Sequence, residues 1–167
     1  MENVKSDTIK SLKSTISIGK IMITKSALDL LLPHQGDMSL LESVISWDMN
    51  TITCLASSHN KPNNPLRKNN QLASMNAIEY AAQAMAIHST LIAQKENTTH
   101  KPRVGFLATA SKVKLFVERL DRLQDDLKVQ ATCLTASNDG SLYEFEITAS
   151  EQLIASGQAL VMLASEQ

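Results

Sequence analysis

One acidic residue stands out by its setting. Between Gln71 and Gln94 the chain reads QLASMNAIEYAAQAMAIHSTLIAQ, with seven alanines and a single formally charged side chain, Glu79. If the segment is a helix, Gln83 lies one turn on, at i+4, and is the polar group placed to share the face of Glu79. Burial disfavours the charged form of a carboxylate, and an acid kept protonated near neutral pH suits general acid catalysis. The plain alternative is an acid near a helix start, favoured there by the helix dipole and paired with a lysine or arginine.

The chain has four histidines, at positions 34, 59, 88 and 100. No two are spaced i, i+3 or i, i+4, so a helical zinc site is not expected, and no metal is predicted. His59 opens an Asn/Pro-rich loop that runs into the Glu79 helix, which makes it the best placed acid–base partner. His88, inside the apolar helix, reads as a core histidine with one hydrogen bond. His34 follows Pro33 and can cap helix carbonyls, and His100 reads as a solvated loop residue. There is no GxSxG elbow, Walker loop or GxGxxG fingerprint. Methionines such as Met75 and Met85 read as flexible core packing.

The elements that would position these residues follow from periodicity and breakers. Residues 1–20 are rich in Ser, Thr and Lys and predict a flexible extension. A short helix is expected over 21–32, stopped by Pro33, with a turn at 34–37. Residues 38–47 and 51–55 read as strands. The segment 57–70, SSHNKPNNPLRKNN, has two prolines and five asparagines and must be a loop; long irregular loops in small domains are usually functional. The stretch 71–94 predicts a buried helix of about six turns. After a second loop to 103, strands are expected over 104–110, 112–118, 127–134, 142–149 and 153–163. In the third of these Leu127, Val129, Ala131 and Cys133 alternate with polar residues. Asn138-Asp139-Gly140 predicts a hairpin pairing it with the fourth. The pattern specifies an α+β fold in one domain, residues 21–167, with an antiparallel sheet wrapped around one long helix.

Composition narrows the function classes. Sixteen basic and 17 acidic residues in 167 give a formal net charge of −1, so no global field points to nucleic acid. Cys54 and Cys133 belong to no metal-binding or redox motif and read as buried, reduced thiols. No apolar run is long enough to span a membrane, and the first 20 residues lack a signal-peptide core. A cytoplasmic protein is the expectation.

Several motifs carry a family resemblance. Leu31-Leu32-Pro33-His34 and the run from Met38 to Val44 resemble the opening of the FabZ-type 3-hydroxyacyl-[acyl-carrier-protein] dehydratases, and Ile78-Glu79-Tyr80-Ala81-Ala82-Gln83-Ala84 resembles their catalytic helix. More closely, PHQGDMSLLESVISWD, NPLRKNN, IEYAAQAMAIHS and PRVGFLATASKVKL resemble the dehydratases of aryl-polyene clusters, the ApeP group, over about residues 26–163.

The resemblance implies a hotdog fold and a dimer, homomeric or heteromeric, with sites at the subunit interface. It also implies a thioester substrate carried on the phosphopantetheine of an acyl-carrier protein, with no further cofactor. In this family a histidine removes the α-proton and the helix glutamate protonates the departing 3-hydroxyl; Glu79 matches the glutamate. Backbone N–H groups around Ser74 would polarise the thioester carbonyl, and Gln83 would line the substrate. The family histidine lies 14 residues before the glutamate, where this chain has Pro65. Either His59 supplies the base or the chain supports a catalytic partner. A hotdog thioesterase, with Glu79 activating water, is the further alternative.

Overall fold

A computed structural model describes residues 22–31, 36–96 and 105–163. The expected extension over 1–20, Pro33, His34 and His100 lie outside the described residues. Seven strands form one antiparallel sheet: β1 (Ile23–Thr24), β2 (Ser43–Trp47), β3 (Thr51–Ala56), β4 (Gly105–Leu115), β5 (Leu127–Ala136), β6 (Gly140–Ala149) and β7 (Gln152–Leu163). Their spatial order is β1-β2-β3-β5-β6-β7-β4. Among the described residues two α-helices accompany them, the short α1 (Lys25–Leu31) and the long α2 (Ala77–Lys95).

The strand alternation builds the inner face of the sheet. Cys54, Val129, Ile147, Ala155 and Leu115 align across β3, β5, β6, β7 and β4. The next inner row is Ile52, Ala131, Phe145 and Gly157. A Cβ at Gly157 would lie 2.9 Å from the Phe145 ring, so glycine is what lets that ring pack against β7. On the opposite face Gln130, Glu146, Ser156 and Lys114 form a polar row. Side chains two apart on a strand share a face, so one register fixes both surfaces.

Helix α2 packs on the inner face. Tyr80, Ala81, Ala84, Met85, Ile87 and His88 are buried and share one core with Leu72, Val129, Phe145 and Ile154. Alanines at 77, 81 and 84 let the helix backbone approach the sheet. Each fully buried larger side chain, such as Ile87, contributes about 2 kcal/mol. This is the hotdog arrangement.

Several boundaries differ from those read in the sequence. The helix begins at Ala77 rather than 71, because 71–76 are held elsewhere. Ala73 bridges Arg119, Leu120 N–H donates to Leu72 O at 2.8 Å, and Ser74–Asn76 make one 3-10 turn. Nor is α2 buried all round: Ile78, Glu79, Ala82, Ala86 and Ser89 form a half-buried stripe. The expected strand over 38–47 is confined to 43–47, since 36–38 form a 3-10 turn. The helix expected over 21–32 yields its first turn to β1.

The two strands expected over 104–110 and 112–118 are one, β4, which ends at Leu115. A bulge between Ser111 and Lys114, with Lys112 at φ 52°, inverts the alternation and imitates a break. Cys54 is buried, whereas Cys133 is only half-buried; both thiols are free.

Candidate active site

Glu79 sits in the first turn of α2, half-buried. Gln83, one turn later and buried, donates from Nε2 to Glu79 Oε1 at 3.1 Å. The same amide nitrogen donates to Met38 O at 2.8 Å, and Leu40 N–H donates to Gln83 Oε1 at 2.9 Å. A backbone N–H can only donate, so the Leu40 contact fixes which end of the amide faces Glu79. Gln83 thus uses its carbonyl and both of its N–H bonds. It pins the irregular 38–40 segment to α2 and holds the Glu79 carboxylate in place.

Tyr80 ties the loop to the same helix. Ser58 Oγ donates to Leu40 O at 2.7 Å, so the 2.9 Å contact between Ser58 and Tyr80 must run from the tyrosine hydroxyl to the serine oxygen. Asn64 Nδ2 donates both to Tyr80 Oη, at 3.0 Å, and to Ser58 O, at 2.9 Å. Its Oδ1 accepts Leu66 N–H at 2.9 Å, across Pro65. Each of these buried polar side-chain groups has a partner, as burial demands. Desolvation raises the Tyr80 pKa above that of an ordinary tyrosine, keeping the hydroxyl a donor.

Arg67 organises the rest of the loop. Its guanidinium donates to the carbonyls of Lys61 (3.0 Å), Asn70 (3.1 Å) and His59 (3.2 Å), and lies 3.7 Å from Asp121. Asp121 also accepts from Arg119 and from Leu72 N–H, at 2.9 Å. The Arg119 guanidinium, above all, holds the Asp121 carboxyl well below the usual range.

His59 is fully buried, and its ring nitrogens meet no group in full hydrogen-bond geometry, although the backbone of Leu123 and Asp125 lies close enough to act on the ring. Desolvation lowers its pKa; the backbone of Leu123 and Asp125 and the charge of Asp126 partly oppose that, and Arg67 adds to it. The groups that act most strongly on the imidazole belong to the 123–126 segment and Arg67. Within one short turn Ser58 faces Tyr80 and Leu40, while His59 faces the other way.

The remaining candidates are placed as follows. Ser74 is buried, and its N–H donates to Glu118 O at 3.0 Å, so this peptide is not free to polarise a carbonyl. His88 is a core histidine, with two contacts rather than one: Nε2 to Asp48 O at 2.8 Å and Nδ1 to Tyr143 Oη at 3.0 Å. The carbonyl requires Nε2 to carry the proton, so Tyr143 donates to Nδ1. Among the described residues no cluster of His, Cys, Asp and Glu could hold a metal ion, and no helix is long and apolar enough to cross a membrane. An open hollow of about 600 Å³ lies near Lys112, Glu144, Glu146 and Gln158, away from Glu79. Sequence reasoning missed Asn64, Arg67 and Tyr80 as organisers, although the NPLR and IEY motifs contain all three.

A family model described as ApeP-like, the ApeP dehydratase, matches residues 26–167. The chain belongs to this family. Among solved structures it is similar to the dehydratase heterocomplex ApeI:P from Xenorhabdus doucetiae, with 23% identity and TM-score 0.73, covering 83% of this chain and 91% of that one. It is also similar to the HP0420 homologue from Helicobacter felis, at 14% identity and TM-score 0.57, covering 82% and 88%. A hypothetical thioesterase with coenzyme A from Streptococcus pneumoniae follows at 10% identity and TM-score 0.52, covering 74% and 86%. At these identities the structural likeness establishes the hotdog fold. Among curated proteins, none matches the sequence significantly.

Proposed function

We propose that this chain acts in dehydrating a 3-hydroxyacyl thioester, carried on acyl-carrier protein, to the trans-2-enoyl thioester of fatty-acid-like or aryl-polyene biosynthesis. The observation that carries the proposal is the Glu79 carboxylate, half-exposed at the start of the central helix and aimed by Gln83, in a chain of the ApeP-like family. In the reaction a base removes the α-proton and the electron pair forms the C2–C3 double bond. Glu79 delivers a proton to the departing 3-hydroxyl, which leaves as water.

The second partner we propose is another hotdog subunit. Strand β4 is an edge strand, and Phe106 and Leu107, successive residues pointing to opposite faces, are both exposed. Irregularities at Leu107/Thr109 and at Ser111/Lys114 interrupt the strand, and Phe106 lies exposed before the first of them. The burial of His59 against 123–126 favours a loop-packing role, with the base supplied by the second subunit; His59 remains this chain's own candidate base. An assay of crotonyl-pantetheine hydration separates the two. If the purified chain is active alone and His59→Ala abolishes the activity, His59 is the base. If activity needs the second subunit and survives His59→Ala, the base comes from the partner. The thioesterase reading predicts thiol release from acyl-CoA, which a thiol reagent detects and a dehydratase does not produce.

A further inference from the structure

Lys25, the first residue of α1, lies far from Glu79 in sequence, but its ammonium is joined to that carboxylate through two amide groups in series. Lys25 Nζ donates to Ser39 O and, at 2.7 Å, to Ser39 Oγ, and it lies 3.4 Å from Asp29 Oδ1 as an ion pair without hydrogen-bond geometry, so two of its N–H bonds are spent on Ser39. The Ser39 carbonyl and the Leu40 N–H belong to one peptide group. That N–H donates to Gln83 Oε1 at 2.9 Å, and the Gln83 amide passes the direction on, from Nε2 to Glu79 Oε1 at 3.1 Å. Every donor in the chain points toward the carboxylate.

We propose that Lys25 is a positioning residue for Glu79, acting through the Ser39–Leu40 peptide and the Gln83 amide. A cation on the oxygen of an amide makes its N–H a stronger donor, and hydrogen bonds in series reinforce one another. Two planar, conjugated groups therefore transmit the pull of the ammonium to the Gln83 N–H that holds Glu79. The geometry also explains why 38–40 is irregular rather than a strand: its peptide groups are spent on Lys25, Ser58 and Gln83 instead of on a ladder. The inference rests on Glu79 being the acid, but the relay itself can be read without catalysis.

The decisive experiment is the ¹⁵N-edited spectrum of the full-length chain, reading the Gln83 side-chain amide protons. Lys25→Met is expected to move them upfield, as weaker hydrogen bonding requires, although Lys25 does not touch Gln83; Lys25→Arg should restore them. Unmoved Gln83 protons in Lys25→Met would overturn the relay. In crotonyl-pantetheine hydration, Lys25→Met is expected to lower kcat about fivefold with KM unchanged, and to have no further effect in a Gln83→Leu background. A Lys25→Met loss that persists in full in that background would show that Lys25 acts by another route. Full activity in Glu79→Gln would instead remove the acid assignment while leaving the spectroscopic test of the relay intact.

Discussion

The two halves of the candidate site are built on different terms. On the helix side, Glu79, Gln83, Leu40 and Lys25 form a chain in which each donor has an acceptor. On the loop side, the carbonyls are gathered by Arg67 and the turn is locked by Asn64, yet the buried imidazole of His59 has only poorly aligned backbone neighbours at Leu123 and Asp125. A satisfied buried network fixes geometry, whereas a poorly paired buried ring is a cost to stability. The helix half is organised to hold one side chain in place, and the loop half to hold a backbone shape.

This contrast can be broken by substitution, and the largest effect is expected at Gln83. Gln83→Leu strands Leu40 N–H and Met38 O and frees Glu79, so urea unfolding should show a loss of about 3 kcal/mol. Tyr80→Phe keeps the ring but removes the hydroxyl between Ser58 and Asn64. About 1.5 kcal/mol is expected from the same measurement, with faster amide exchange over 57–70. His59→Leu should go the other way, gaining up to about 1 kcal/mol, because it removes two buried nitrogens that are poorly paired. A loss of that size at His59 would reveal a partner for the ring and erase the contrast.

The smallest effect concerns pH. Burial lowers the pKa values of both His59 and His88 in the folded chain. The unfolded chain therefore binds more protons below the ordinary histidine value of about 6.5. Their contribution to stability is present above that value and is lost as pH falls from it through the folded pKa values. Urea midpoints should drop across this window, and less steeply in His59→Leu.

Much of the frame was legible in the sequence. The alternation over Leu127–Cys133 and the Asn138-Asp139-Gly140 hairpin are local signals, and β5 and β6 pair as they predict. The Glu79–Gln83 contact is also local, since i+4 spacing alone brings the two together. What was not legible depends on distant partners. The helix starts late because the 118–120 segment captures Leu72, Ala73 and Ser74. Closeness of His59 to the helix in sequence gave no sign of which way its ring turns; that is set by Tyr80 and Asn64 drawing Ser58 inward. Lys25 reads as an ordinary surface lysine until the fold brings Ser39 beside it.

The most direct test of the central claim is crotonyl-pantetheine hydration by the full chain, assayed together with the proposed second hotdog subunit, comparing Glu79→Gln with the unaltered protein. The substitution keeps the shape and an acceptor oxygen for Gln83 but cannot deliver the proton. The account predicts a loss of about a thousandfold in kcat, with folding intact by thermal melting. Undiminished hydration in Glu79→Gln would contradict it.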